Sequence, residues 1–460
     1  MQLRQTPVFS FIFYVFRNEL RVRCMLIEFS VSNYRSFRDK QTLSMAATPR
    51  LSKKRNLFAP PVNGEKLPDL LKVAAIYGPN ASGKSSLVRA MGIMGQLIAA
   101  LPTSNDEPLP VSPFRFDPKL QNEPSFFEYN FIQRGLRYRF VLCMTAQRIT
   151  EEHLVSYPKG KETLLYKRCF VAEGERYVFG ASLEGGEDVH NTWRRLTNPK
   201  TLFISQAIAN SSEELTQLRD PFSWFQTGLL VIEQNNMMGL SATSIRFLRM
   251  ASDCTQDLRD FLRDVDIPVS AIQLNTEDAE SVQSTKKLTL KEFFAAAQKD
   301  KVTLSHTSLL GKAEFDFSEE SGGTKNLIGF WLPWFMINHA DGSGILAVDE
   351  LDSSLHPSIV DDLIEKHLDG GLDTQLIFTT HDTHLMNAKA LRSDQFWITE
   401  RDANGATSLF SVHDFEGREG EYVEKRYFEG RYRGLPLIRR AMSDTAVRSN
   451  ATNPARIPAG

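Results

Sequence analysis

The chain has 460 residues, enough for two or three domains of ordinary size, and its 42% hydrophobic and 24% charged content excludes wholesale disorder. A formal net charge of −2 excludes the global basic excess of a protein whose main task is gripping a nucleic-acid backbone, and leaves a local basic patch open. Four cysteines (Cys24, Cys143, Cys169, Cys254) lie far apart with no C-x-x-C pair, which gives neither a zinc knuckle nor a disulfide framework and fits reduced cytosolic thiols.

The apolar stretch "PVFSFIFYVF" (Pro7 to Phe16) is too short for a bilayer span, which takes about 20 residues. Arg17, Glu19, Arg21 and Arg23 follow it, where a signal peptide would carry small cleavage-site residues. Residues 1–24 are therefore read as an extension outside the fold, and the protein as cytoplasmic and without membrane attachment. From Met25 the alternation of Leu26, Phe29, Val31 and Phe37 predicts a strand or hairpin, and the prolines at 49, 60, 61 and 68 predict a loop. Val73–Tyr77 reads as a short strand and Ser85–Ala99 as a helix, with a glycine loop between them.

From Pro108 to about Gly180 short strands are expected, including a hairpin turning near Arg134 and Gly135. Helical patterns dominate from Thr197 to Lys301, Leu229 and Leu230 among them, without the sustained heptads of a coiled-coil arm. After Phe315 an apolar helix, a buried strand ("GILAVDE"), an amphipathic helix ("SIVDDLIEKHL") and a second buried strand ("TQLIFTTHD") follow in turn. Such alternation implies an α/β fold with a mostly parallel sheet flanked by helices. The expected organisation is a core split in two, residues 25–107 and 311–440, around an insertion at 108–310 that is β-rich and then helical. A disordered tail at 441–460 follows.

The chemistry concentrates at three places. Gly78, Gly83, Lys84 and Ser85 satisfy G-x-x-x-x-G-K-[ST], with Asn80 and Ser86 as further candidate nucleotide contacts. In such a loop the glycines turn backbone N–H groups inward, the lysine reaches the β and γ phosphates, and the serine hydroxyl ligates Mg2+. Asp349 and Glu350 end an apolar strand where ligands of open parallel sheets collect. Asp349 can hold the magnesium shared with Ser85, and Glu350 can orient and deprotonate an attacking water. His381 ends the next strand, where its ring could polarise a γ-phosphate or sense its loss. Ser321, Gly322 and Gly323 open a helix and offer a hydroxyl and free N–H groups to an anion.

Taken in order, "YGPNASGKSSL", "ESGGTK", "VDELDSSLHP" and "FTTHD" resemble the ATPase heads of ABC, SMC and Rad50 type proteins. With "FSVSNYRSF", "SPFRFD", "FEYNF" and "EGRYRGLPLI", the chain most resembles the AAA15 family of bacterial ATPases, which is related to the OLD-type ATPases. The resemblance implies an ABC-type head that binds ATP with Mg2+ between two copies, as a homodimer or higher homo-oligomer. It implies that Ser321, Gly322 and Gly323 act in trans on the partner's γ-phosphate, that Asp352 lies at the same dimer contact, that His381 is the switch histidine, and that Arg35 touches nucleotide. Two departures stand out: the glutamine expected in the loop between the halves is not evident near "SPFRFDPK", where Gln121 has a poor context, and Arg433 replaces an expected small residue.

The resembled family often serves bacterial phage-defence and abortive-infection systems, where the ATPase controls a toxic partner, commonly a nuclease. No second catalytic constellation is evident in 108–310, and the segment "GATSLFSVHDF" is too short for a toprim domain, so an effector is expected to be a separate polypeptide. One reading is therefore an ATP-hydrolysing sensor that homo-oligomerises and regulates a nuclease or toxin. The other is a DNA-acting, clamp-like repair ATPase, for which "LSKKR" (Leu51 to Arg55) and "STKKLTLK" (Ser284 to Lys291) are the only basic candidates. An ATP-driven scaffold without a sensing role is a third.

Overall fold

The computed structural model describes residues 24–99, 107–274, 302–339, 343–353, 355–387, 390–415 and 423–435. The expected tail from 441, the basic run Ser284–Lys291 and all but the last residue of the expected extension 1–24 lie outside these residues; that last residue, Cys24, is not outside the fold but buried as the first residue of a strand. The strands in chain order are β1 (Cys24–Ser32), β2 (Gln41–Ser44), β3 (Leu57–Phe58), β4 (Leu70–Leu71), β5 (Val73–Tyr77), β6 (Ser125–Gln133), β7 (Leu136–Met144), β8 (Ile149–Ser156) and β9 (Thr163–Val171). They continue with β10 (Gly174–Phe179), β11 (Leu229–Ile232), β12 (Val269–Leu274), β13 (Val302–Ser308), β14 (Gly311–Asp316), β15 (Ser343–Val348), β16 (Asp373–Thr379), β17 (Phe396–Arg401) and β18 (Thr407–Ser411).

Two sheets carry the molecule. One has the order β11-β15-β16-β5-β17-β18, parallel throughout except for the closing β17–β18 hairpin. The other is antiparallel, in the order β10-β9-β8-β7-β6-β1-β2. The β6–β7 hairpin turns at Arg134 and Gly135, both at positive φ (50° and 78°), the two-residue geometry that matches the strand twist. The fold is thus α/β, with a mostly parallel sheet flanked by helices and an antiparallel sheet beside it.

The period-two alternation of a strand sorts β5 between two cores. Val73, Ala75 and Tyr77 face one cluster, built with the helices Met237–Met250, Thr255–Asp264, Gly322–His339 and Pro357–Asp369. Ala74 and Ile76 face the other, which is shared with Leu26 and Phe29 of β1 and Phe127 and Tyr129 of β6. Between the sheets lies the helix Lys84–Met91, whose Leu87, Ala90 and Met91 pack into that second core. The buried Tyr129 hydroxyl contacts its last carbonyls, those of Ala90 and Met91, at 3.2 Å each. Gln375 in β16 locks the sheets together: its side chain accepts from the Leu26 N–H at 2.7 Å and donates to the Leu26 carbonyl at 3.0 Å.

The stretch read as helical, 197–301, contains two strands among its described residues, Leu229–Ile232 and Val269–Leu274. Leu229–Ile232 is the outer strand of the parallel sheet, paired in register with Ile345–Val348. A buried four-residue apolar run has no period that separates strand from helix, so in the sequence it continues the helical pattern before it, whereas in the fold it pairs as a strand. β12, β13 and β14 form a separate three-stranded antiparallel sheet. Among the described residues no helix is long and apolar enough to cross a membrane.

Candidate functional site

The carboxyl ends of the parallel strands converge on one edge, and the candidate residues divide by whether they reach it. The loop between β5 and the helix at Lys84 is wound by positive φ at Gly78 (147°), Ala81 (62°) and Gly83 (112°). A Cβ on Gly78 would lie 2.4 Å from the Thr399 carbonyl oxygen, and one on Gly83 would lie 2.3 Å from Thr407 Oγ1. Strands β17 and β18 therefore back the loop so closely that only glycine fits at these two points. Thr399 Oγ1 donates to the Tyr77 carbonyl at 3.0 Å, and Thr407 Oγ1 donates to the Ser82 carbonyl at 2.7 Å. Gly83 caps the helix without any side-chain hydrogen bond, so the first helical N–H groups are left for a ligand. Asn80 is exposed, and Ser85 and Ser86 are half-buried on the first turn.

Lys84 is only 5% exposed, and its ammonium donates to the Gly78 carbonyl at 2.8 Å and the Pro79 carbonyl at 3.3 Å. Burial lowers its pKa to about 8, against the opposing pull of Glu350, Asp349 and Asp352. A buried cation turned back onto the carbonyls of its own loop is a group matched to an incoming anion.

Two strands away, Asp349 is 2% exposed and accepts from Thr379 Oγ1 at 2.7 Å. The same Thr379 hydroxyl oxygen accepts from the Glu350 N–H at 2.7 Å. One fully buried hydroxyl at the end of β16 thus fixes both acids at the end of β15. Glu350 adopts φ 54°, a left-handed conformation unusual for a residue with a Cβ, and this turns its side chain out of the strand direction. Asp352 accepts from the His381 N–H at 3.1 Å, tying the turn after β15 to the tip of β16. Partial desolvation and the Lys84 charge lower the His381 pKa, so the imidazole is held neutral at pH 7.

Gln234 was not anticipated. It follows β11, and its side-chain amide donates to Glu350 Oε2. The preceding Glu233 accepts from Arg89 of the helix Lys84–Met91 at 2.7 Å, which anchors this turn to the helix that follows the 78–86 loop. The signal was the run "LLVIEQNN", polar residues at the end of a β-branched strand, and it was missed because that strand was read as helix. Gln121 instead donates to the Arg115 carbonyl in an exposed turn and does not reach the site.

Arg35, at φ 53°, is exposed, and its N–H donates to the Ser112 carbonyl at 2.7 Å. The next residue meets the loop directly, because a Cβ on Gly83 would lie 2.8 Å from Ser36 Oγ. Ser321, Gly322 and Gly323 are different. Ser321 Oγ accepts from the Thr324 N–H at 3.1 Å and caps its own helix, and Gly322 faces open space. Among the described residues these three share no hydrogen bond with the loop or the two acids. Arg433 stands at φ 60°, which accounts for the small residue expected there.

The oxygen donors suit Mg2+: Ser85 supplies a hydroxyl and Asp349 a carboxylate, both hard ligands. Among the described residues no group of three or more His, Cys, Asp or Glu is placed to hold a metal. Two of the three cations in the basic run at Leu51–Arg55 are committed elsewhere. Lys53 donates to the Leu391 carbonyl, and Arg55 pairs with Glu365 at 2.6 Å and Asp369 at 2.9 Å.

Among solved structures, the chain is similar to an SMC head bound to the C-terminal winged-helix domain of ScpA, at 13% identity and a TM-score of 0.42 over 87% of this chain and 99% of that one. The SMC head domain of Thermotoga maritima is similar at 14% identity and a TM-score of 0.35, over 85% of this chain and 99% of that one. An SMC head with an extended coiled coil from Pyrococcus furiosus, bound to the C-terminal domain of ScpA, gives 12% identity and a TM-score of 0.39, over 89% and 100%. No curated protein sequence matches. Strand order and loop geometry, rather than these distant likenesses, define the site. A family model matches residues 73–387, from the first residue of β5 to just past the His381 turn, and the chain belongs to that family, described as "AAA domain, putative AbiEii toxin, Type IV TA system".

Proposed function

We propose that the protein is an ATPase of AAA15 type that binds ATP with Mg2+ at the 78–86 loop, hydrolyses it, and uses the cycle to control a separate effector. The observation that carries this reading is the convergence of Lys84, Asp349, Glu350, Asp352, His381 and Gln234 at one sheet edge. A site for passive binding needs the cation and the N–H groups of the loop. The second acid, held in a left-handed conformation and touched by a glutamine amide, is suited to orienting a water for in-line attack. Mg2+ held by Ser85 and Asp349 would neutralise charge on the phosphates. Glu350 would take the water's proton, and the neutral His381 ring would donate to a γ-phosphate oxygen.

Ser321, Gly322 and Gly323 stand apart from this set with their helix start open to solvent, which supports their use in trans by a second copy. The matched family's description, which includes the words "putative AbiEii toxin, Type IV TA system", supports a toxin–antitoxin setting; a phage-defence role and a separate nuclease or toxin as effector are part of the proposal. The commitment of Lys53 and Arg55 to internal partners favours this reading over a DNA-gripping clamp. Phosphate release by the purified chain, with and without Mg2+, tests the proposal. Steady ATP turnover that Glu350→Gln removes is the expected result, and turnover unchanged in that variant would sink the assignment.

A further inference from the structure

A single turn beside the phosphate loop also holds an exposed aromatic ring. Asn33 binds the segment that follows the core helix, donating to the carbonyls of Leu120 and Glu123 at 2.9 Å each and accepting from the Phe114 N–H at 3.0 Å. Arg35 donates from its backbone to Ser112, and Ser36 accepts from the Thr407 N–H at 2.7 Å, beside Gly83. Within this segment Phe114 is buried, whereas Phe116 is 66% exposed.

The exposed ring is fixed from behind. Gly405, in the β17–β18 turn at φ 80°, lies so close that a Cβ there would be 2.9 Å from the Phe116 ring. The Arg401 guanidinium is 5.4 Å from the ring centroid, in cation–π range, and Arg401 is paired across the hairpin with Thr407, the residue that backs Gly83. Single exposed apolar side chains are ordinary on protein surfaces. What sets Phe116 apart is that a bare glycine, a cation and the Asn33 turn hold it in place, two residues along the hairpin from the phosphate loop's own support.

We propose that Phe116, backed by Arg401 and Gly405, is the stacking platform for the base of the nucleotide whose phosphates occupy the 78–86 loop. This rests on the nucleotide-binding reading above and adds the recognition of the base. An aromatic face accepts any planar base, so a platform of this kind secures affinity for nucleosides over bare polyphosphate.

The test is equilibrium binding of MgATP and of magnesium tripolyphosphate to the full chain and to its Phe116→Ala, Phe116→Trp and Lys84→Ala variants. The expected result is that Phe116→Ala weakens ATP about 5- to 100-fold and leaves tripolyphosphate unchanged. Phe116→Trp should keep ATP affinity, and its fluorescence should be quenched by ATP and not by tripolyphosphate. Equal changes for both ligands, or ATP affinity unchanged in Phe116→Ala, would overturn the platform. Undiminished binding of both ligands to Lys84→Ala would instead overturn the phosphate-loop reading, so the two failures are distinguishable.

Discussion

Lys84 links stability to function in a way that can be measured without nucleotide. Its pKa falls from the ordinary 10.5 to about 8 because burial disfavours the charged form. A drop of about 2.5 pH units, at 1.36 kcal/mol per unit, means that keeping the ammonium charged in the folded protein costs about 3 kcal/mol below pH 8. The unfolded chain binds this proton more tightly, so between pH 8 and 10.5 folding releases it and stability rises with pH; the penalty is complete below pH 8 and gone above 10.5. Lys84→Met removes the titration. Its lost hydrogen bonds to Gly78 and Pro79 set a constant offset, and the pH-dependent part isolates the buried charge. Urea denaturation midpoints of both proteins, from pH 7 to pH 10, should show wild type gaining about 2 kcal/mol on the variant between pH 8 and 10. A phosphate placed beside the ammonium would raise its pKa again, so ATP affinity of the wild type should weaken above pH 8, by up to about tenfold per unit. A stability difference that stays flat with pH would refute the buried-cation argument.

Three other outcomes follow from the same geometry. Glu350→Gln should bind MgATP with wild-type affinity and lose about 100- to 10,000-fold in turnover, measured by phosphate release. Thr379→Val, which keeps shape and removes the hydroxyl shared by Asp349 and the Glu350 N–H, should destabilise the fold by about 1–3 kcal/mol in denaturant titration and lower turnover while ATP still binds. Ser321→Arg places a long cation at an exposed helix start, so each monomer should fold with unchanged circular dichroism while ATP-dependent association is lost.

The sequence carried the α/β alternation because each core strand is a run of β-branched and apolar residues bounded by polar turns, and the glycine loop and the D-E strand end because their residues are neighbours in the chain. What it did not carry is what depends on neighbours distant in the chain. Leu229–Ile232 becomes a strand only by pairing with β15, and Gln234 meets Glu350 only because of that pairing. Thr379, Thr399 and Thr407 have no motif of their own. They act because neighbouring strands of the sheet place a hydroxyl under the acids and under the loop glycines, which periodicity alone cannot foresee. The antiparallel sheet shows the same limit. Its strands from 125 to 179 were legible singly, whereas their continuation of β1 depends on long-range register.

The most direct test of the proposed ATP-binding assembly is the solution mass of the Glu350→Gln form, with and without ATP and Mg2+, by light scattering. The account predicts that MgATP converts the protein to a dimer or larger assembly and that removing the nucleotide reverses it. A mass that stays at one chain with saturating MgATP bound would contradict the shared site.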